Sequence, residues 1–162
     1  MLGRFLAKAV WAGMIRDEIK TALVSAMKAG DKPRVGTIRL IQSSLKNRDI
    51  ELRGKEAGDD DLLVTEVLQK MIKQRRESID MYAKGNRQEL ADAEAAEIAV
   101  IEGFLPTQMS EAELGAAVDA IVAETGAASI KDMGRVMAAL KERHAGQVDM
   151  GKAGAVVRGR LS

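Results

Sequence analysis

From Met14 onward, apolar residues recur every three or four positions, and glycines and capping residues break the repeats into segments of helical length. Ile15, Ile19, Leu23 and Ala26 form the first stripe, which Gly30 stops. Asp31 stands where a side chain caps the next helix, with Pro33 in the first turn, where no amide is needed. That helix turns Ile38, Ile41, Leu45 and Leu52 inward and ends at the loop GKEAG. Asp59 or Asp60 then caps a long helix whose seam runs Val64, Leu68, Met71, Arg75, Ile79, Tyr82, with a stop at Gly85. Asn86 with Glu89, and Ser110 with Glu113, have the spacing of capping boxes. The fourth helix runs to about Phe104, because Pro106 disfavours helical geometry at Leu105. Past LPTQM the punctuation predicts helices over about 110–125, 129–144 and 149–161, with Gly126 and Gly146 between them.

The pattern therefore predicts an all-α chain: an N-terminal four-helix domain over 14–107, a small three-helix domain over 108–162, and an extension over 1–13. Composition agrees. Aromatic residues make up 2% of the chain and there are two prolines, whereas strand-rich cores draw on aromatic and β-branched residues. With 46% hydrophobic and 30% charged residues, the chain has the apolar material for a core and the charge for a solvated surface. The extension MLGRFLAKAVWAG carries Arg4 and Lys8 and no acid, with Leu2, Phe5, Leu6, Ala9 and Val10 on roughly one helical side. It reads either as a short amphipathic or targeting segment or as an upstream start. The second reading is preferred here, and with it a cytoplasmic location without membrane attachment.

Charge and chemistry narrow the function. The absence of cysteine excludes a disulfide framework, a thiolate zinc site and a cysteine nucleophile. The one histidine, His144, sits in KERHAG near a predicted helix end, where a cation suits the helix dipole. Residues 1–58 carry 12 basic and 6 acidic side chains, and residues 126–162 carry 7 and 3, so basic ends surround an acidic middle. Glu94 and Glu97, at i and i+3, suit either a divalent metal or ion pairs to a neighbouring helix, and the pairs are the expectation. Lys73, Arg76 and Asp80 share a side of the third helix, again as an ion-pair face before a phosphate contact. No metal, cofactor or catalytic residue is assigned. Stacking on bare bases needs several aromatic rings. Beyond the extension only Tyr82 and Phe104 remain, both on apolar stripes, so any RNA partner is read by shape and backbone.

The series RLIQSSLKNRDIE, LQKMIKQRRESIDMY, ELADAEAAEIAVIEGFLPTQMS and SIKDMGRVMAALK resembles the GatB/YqeY family, in order and over nearly all of Met14 to Leu161. The resemblance implies a stand-alone YqeY-like protein. Its relatives include the tail of the B subunit of glutamine-dependent aminoacyl-tRNA amidotransferase and a module appended to some glutaminyl-tRNA synthetases. It further implies binding to the folded body of tRNA, and an association with carbon–nitrogen ligase activity that uses glutamine as amide donor. The chain shows no residues for a glutaminase site, an ATP site or an ammonia route, so it is expected to be a non-catalytic accessory protein in translation, not an enzyme by itself. The expected partners are tRNA and an aminoacyl-tRNA synthetase or amidotransferase, with the chain itself a monomer. The alternative is a module that docks on such an enzyme through its acidic fourth helix without touching RNA.

Within AASIKDMGRVM, Gly134 falls inside the first turns of a predicted helix, at a cost of about 1 kcal/mol relative to alanine. Two causes fit: close packing of a neighbouring helix, or approach of a tRNA backbone. Packing is the plainer expectation. On the second reading Lys131 and Arg135 flank Gly134 on one face, and Lys152, Arg158 and Arg160 of the last helix extend it. The nucleic-acid-binding set is then Lys131, Gly134, Arg135, Lys152 and Arg158. Helix N-termini near Ser129 and Asp149 would offer amides to phosphates as well.

Overall fold

A computed structural model describes residues 14–56 and 58–162 of the chain. Its regular structure is helical, and no strand occurs among the described residues. The N-terminal extension, with Arg4 and Lys8, lies outside the described residues. The chain separates into two compact units, Met1–Leu105 and Pro106–Ser162.

In the first unit, α1 (Met14–Lys28), α2 (Lys32–Glu51), α3 (Asp60–Lys84) and α4 (Gln88–Glu102) enclose one apolar core. Ile15, Ile19, Ile38, Ile41, Val64, Leu68 and Ile101 are essentially inaccessible to solvent, as the stripes require. The helix ends follow from local chemistry. The Asp31 carboxylate accepts from the Arg34 amide at 3.2 Å, and that of Asp59 accepts from the Leu62 amide at 3.0 Å. Arg16 then ties three helix ends together. Its guanidinium donates to Asp49 at the end of α2 (2.7 Å) and to Asp60 at the start of α3 (2.9 Å). Beside it, Asp61 accepts from the Ile15 amide at 3.0 Å.

The turn between α3 and α4 departs from the expected capping box. Asn86 is not an N-cap: its φ is 57°, in the left-handed region, and the N-cap of α4 is Arg87, without a side-chain bond. The Arg87 amide donates to the Tyr82 carbonyl (2.8 Å) and the Asn86 amide to that of Ala83 (3.2 Å). This is the paired bonding of a Schellman ending, with asparagine in the place glycine usually takes. The backbone of Asn86 is committed to closing α3 and cannot also open α4. Across this hairpin Arg75 meets Glu97 at 2.8 Å and Glu94 at 3.9 Å, while Arg76 meets Glu102 at 3.8 Å. The two carboxylates thus serve the ion-pair role expected of them, and Arg75 enters the apolar seam because its charge is matched there.

The second unit holds α5 (Glu111–Thr125), a 3₁₀ turn (Ile130–Asp132), α6 (Met133–Arg143) and α7 (Met150–Leu161). Val118, Ile121, Val136, Leu140, Ala153 and Val157 form its centre. Ser110 caps α5 by accepting from the Glu113 amide at 3.1 Å. The segment LPTQM is more than a connector. The Gln108 amide group donates to the Pro106 and Gly146 carbonyls (3.0 and 2.8 Å), and the Met109 amide donates to Gln147 (2.8 Å). The bonds to Gly146 and Gln147 fasten residues 106–109 to the loop between α6 and α7.

Candidate nucleic-acid interface

The stretch AASIKDMGRVM begins as a capped 3₁₀ turn and becomes an α-helix only at Met133. Ser129 and Asp132 form a reciprocal capping box. The Asp132 carboxylate accepts from the amides of Ala128 (2.9 Å) and Ser129 (3.3 Å) and from the Arg135 guanidinium (3.0 Å). The two amides, aided by Arg135, hold the Asp132 carboxyl below the usual carboxylate range. Lys131 and Ile130 are therefore displayed on a turn fixed by its own hydrogen bonds, with Ile130 50% exposed.

The packing reading of Gly134 does not hold. A Cβ built on it meets nothing within 4 Å, so no helix approaches the position. Gly134 lies in the first turn of α6 with an open face, flanked by the exposed Lys131 and Arg135. Gly134→Ala is accordingly expected to stabilise this unit, by about 0.5–1 kcal/mol, because the methyl group enters solvent and the unfolded chain loses freedom. Thermal or urea unfolding checks this; a fall in stability would restore the packing reading.

The 3₁₀ turn packs against α7, bringing the segment that carries Lys131 beside the helix that carries Lys152. Lys131 and Lys152 are exposed and enter no ion pair among the described residues. The remaining expected members separate from this group. Arg158 follows Lys152 by six residues, which places it about 120° around the helix. Arg160, expected to extend the face, instead pairs with Asp119 of α5 at 2.7 Å. The N-terminus of α7 is also occupied: the Asp149 carboxylate accepts from the amides of Gly151 (2.9 Å) and Lys152 (3.3 Å), so a carboxylate already fills the place offered to a phosphate there. Sequence reasoning missed this cap as a competitor, although Asp149 directly before the α7 stripe signals it.

Elsewhere, His144 is the C-cap residue of α6, its amide donating to the Leu140 carbonyl at 3.0 Å, which matches the helix-end position read from KERHAG. Among the described residues no group of three or more His, Cys, Asp or Glu side chains is arranged to hold a metal ion. No helix among them is long and apolar enough to cross a membrane.

The described residues form an all-helical fold of two units with an exposed basic turn in the smaller one, and comparison with known proteins gives the family. The chain belongs to the Yqey-like protein family, whose profile matches residues 16–161. Among curated proteins, it is similar to Altered inheritance of mitochondria protein 41, mitochondrial, of Lachancea thermotolerans, with 36% identity over 108 residues, covering 65% of this chain and 57% of that protein. The protein of the same name from Eremothecium gossypii is 35% identical over 109 residues, 65% of this chain and 58% of its own length. That from Kluyveromyces lactis is 36% identical over 86 residues, 53% and 45% respectively. The chain thus spans about half the length of the curated relatives it matches.

These names overturn the expectation of a cytoplasmic protein, since the relatives are named as mitochondrial. That expectation followed from reading residues 1–13 as an upstream start with no targeting role, and those residues lie outside the described ones.

Proposed function

We propose that this chain is a non-catalytic, tRNA-binding accessory protein, related to the tail of the B subunit of aminoacyl-tRNA amidotransferase. It holds the folded body of tRNA through the face formed by Lys131, Gly134, Arg135 and Lys152. One observation carries the reading: Gly134 costs α6 stability, yet open space lies over it and exposed bases stand on either side. A face that excludes side chains and presents cations suits a phosphate backbone, which is recognised through charge without base readout. Arg158 lies farther round α7 and would add a peripheral contact. Amide-transfer chemistry on this reading belongs to a partner synthetase or amidotransferase.

Docking on such an enzyme through the acidic α4 is the less supported reading. Glu94, Glu97 and Glu102 are spent on Arg75 and Arg76 within the unit. The test is direct titration of the purified chain into labelled tRNA across a series of salt concentrations. We expect binding whose log affinity falls linearly with log salt. Saturating protein with no binding at low salt would overturn the proposal.

A further inference from the structure

The larger unit carries a second stripe of cations that neither its core nor its ion pairs absorb. Lys32, Arg39 and Lys46 recur on α2 at intervals of seven residues, and Arg53 follows at the same interval just past its end. Seven residues advance a helix by about 10.5 Å. They turn it back to within about 20° of the starting direction. The three bases of α2 therefore form one nearly straight row on a single side, and Arg53 follows in the turn beyond its end. All four are exposed and none enters an ion pair among the described residues.

The acids of this helix are disposed of elsewhere. Asp31 caps the Arg34 amide, Asp49 is held by Arg16, and Glu51 is held by Arg48 at 2.9 Å. The row is thus a field of uncompensated positive charge, although the chain as a whole carries only a net +1. Gly36 lies on the same side, in the helix interior, and a Cβ built on it meets nothing within 4 Å. As at Gly134, a residue unfavourable to a helix has no packing cause. The row also includes the exposed Ser43 and Asn47, hydroxyl and amide groups suited to ribose hydroxyls.

We infer that the outer side of α2 is a second RNA-contacting surface, which grips the sugar–phosphate backbone of a double-helical RNA segment and lets it approach most closely at Gly36. The occupant follows from the charge and from what is missing. An acidic protein partner would call for a cluster of apolar anchors, whereas the large exposed apolar residues on this side, Leu40 and Ile50, stand ten residues and about 15 Å apart among the cations. Insertion into a lipid surface would require an apolar helix face, and that of α2 is already buried under Ile38, Ile41 and Leu45. Backbone recognition needs cations at regular spacing and no base-reading aromatics.

This inference rests on the reading that the chain binds structured RNA, but it concerns different residues. The test uses the full chain with tRNA and with a short RNA duplex, titrated over a range of salt. Arg39→Gln with Lys46→Gln keeps good helix formers at both exposed sites, so circular dichroism should not change. It should lower affinity for both probes on the order of tenfold to a hundredfold at low salt and flatten the salt slope by about two. Gly36→Gln should weaken binding without flattening the slope, since it blocks approach and removes no charge. If the double variant binds both probes like the parent while Lys131→Glu with Arg135→Glu does not, the α2 inference falls and the C-terminal assignment stands. If only the α2 variant loses binding, the reverse holds. Parent protein that binds neither probe overturns both, as does binding to anionic vesicles in place of RNA.

Discussion

Reversing two charges, Lys131→Glu with Arg135→Glu, is expected to weaken tRNA binding by roughly tenfold to a hundredfold at low salt and to flatten the salt dependence by about two units of slope. The change should be nearly uniform across tRNA sequences, because phosphate contacts carry no sequence information. Stability should hardly move. Both side chains are exposed, and the one ion pair lost, Arg135 with Asp132, lies at the surface, where solvent and salt screen such pairs and leave them little weight. Arg135→Glu also falls in the first turn of α6, where an acid suits the helix dipole and offsets part of that loss. Circular dichroism and melting should therefore match the parent while anisotropy titrations do not. Unchanged affinity would shift the assignment from RNA to a protein partner.

Much of this architecture is written in short-range chemistry, and that part was legible. Asp31, Asp59 and Ser110 cap because a short side-chain oxygen can reach the next turn's amides whatever the rest of the chain does. Asn86 misled for a related reason: asparagine serves equally as an N-cap and as a left-handed C-terminal residue, and only the bonds closing α3 decide between them. The ion-pair role of Glu94 and Glu97 was legible because an arginine in the α3 seam demanded partners from a neighbouring helix.

The candidate site was harder to read. A packing glycine and an exposed one leave the same mark in a sequence, so the open space over Gly134 could come only from the three-dimensional arrangement. Arg160 looked free because its partner, Asp119, lies 41 residues away on another helix. The row on α2 needed no structure to find in principle. It escaped because charge was counted by segment, and a count along the chain hides what a seven-residue interval gathers on one side of a helix.

Leu140→Ala is expected to have the largest effect on stability, and it ties the fold of the smaller unit to its proposed role. Leu140 is inaccessible to solvent and belongs to the second core, whose other members include Val118, Ile121, Val136, Ala153 and Val157. Truncating such a leucine removes its transfer free energy and leaves a void that neighbours fill only in part, at a cost of about 2–5 kcal/mol. A unit of the size of Pro106–Ser162 holds roughly 3–9 kcal/mol in all, so the loss takes most of the margin. Hydrogen exchange should then show the amides of α6 and α7 losing protection, while those of α3, whose buried residues belong to the other core, keep theirs. Leu140→Met conserves volume and should cost less than about 1.5 kcal/mol. RNA binding separates the two variants again. The alanine variant should lose affinity in step with the unfolding of α6, since Lys131 and Arg135 are positioned only by the folded turn, and the methionine variant should bind like the parent. An alanine variant with intact protection in α6 would remove Leu140 from the centre of this core, and one that unfolds α6 yet binds tRNA undiminished would remove the basic turn from the binding surface.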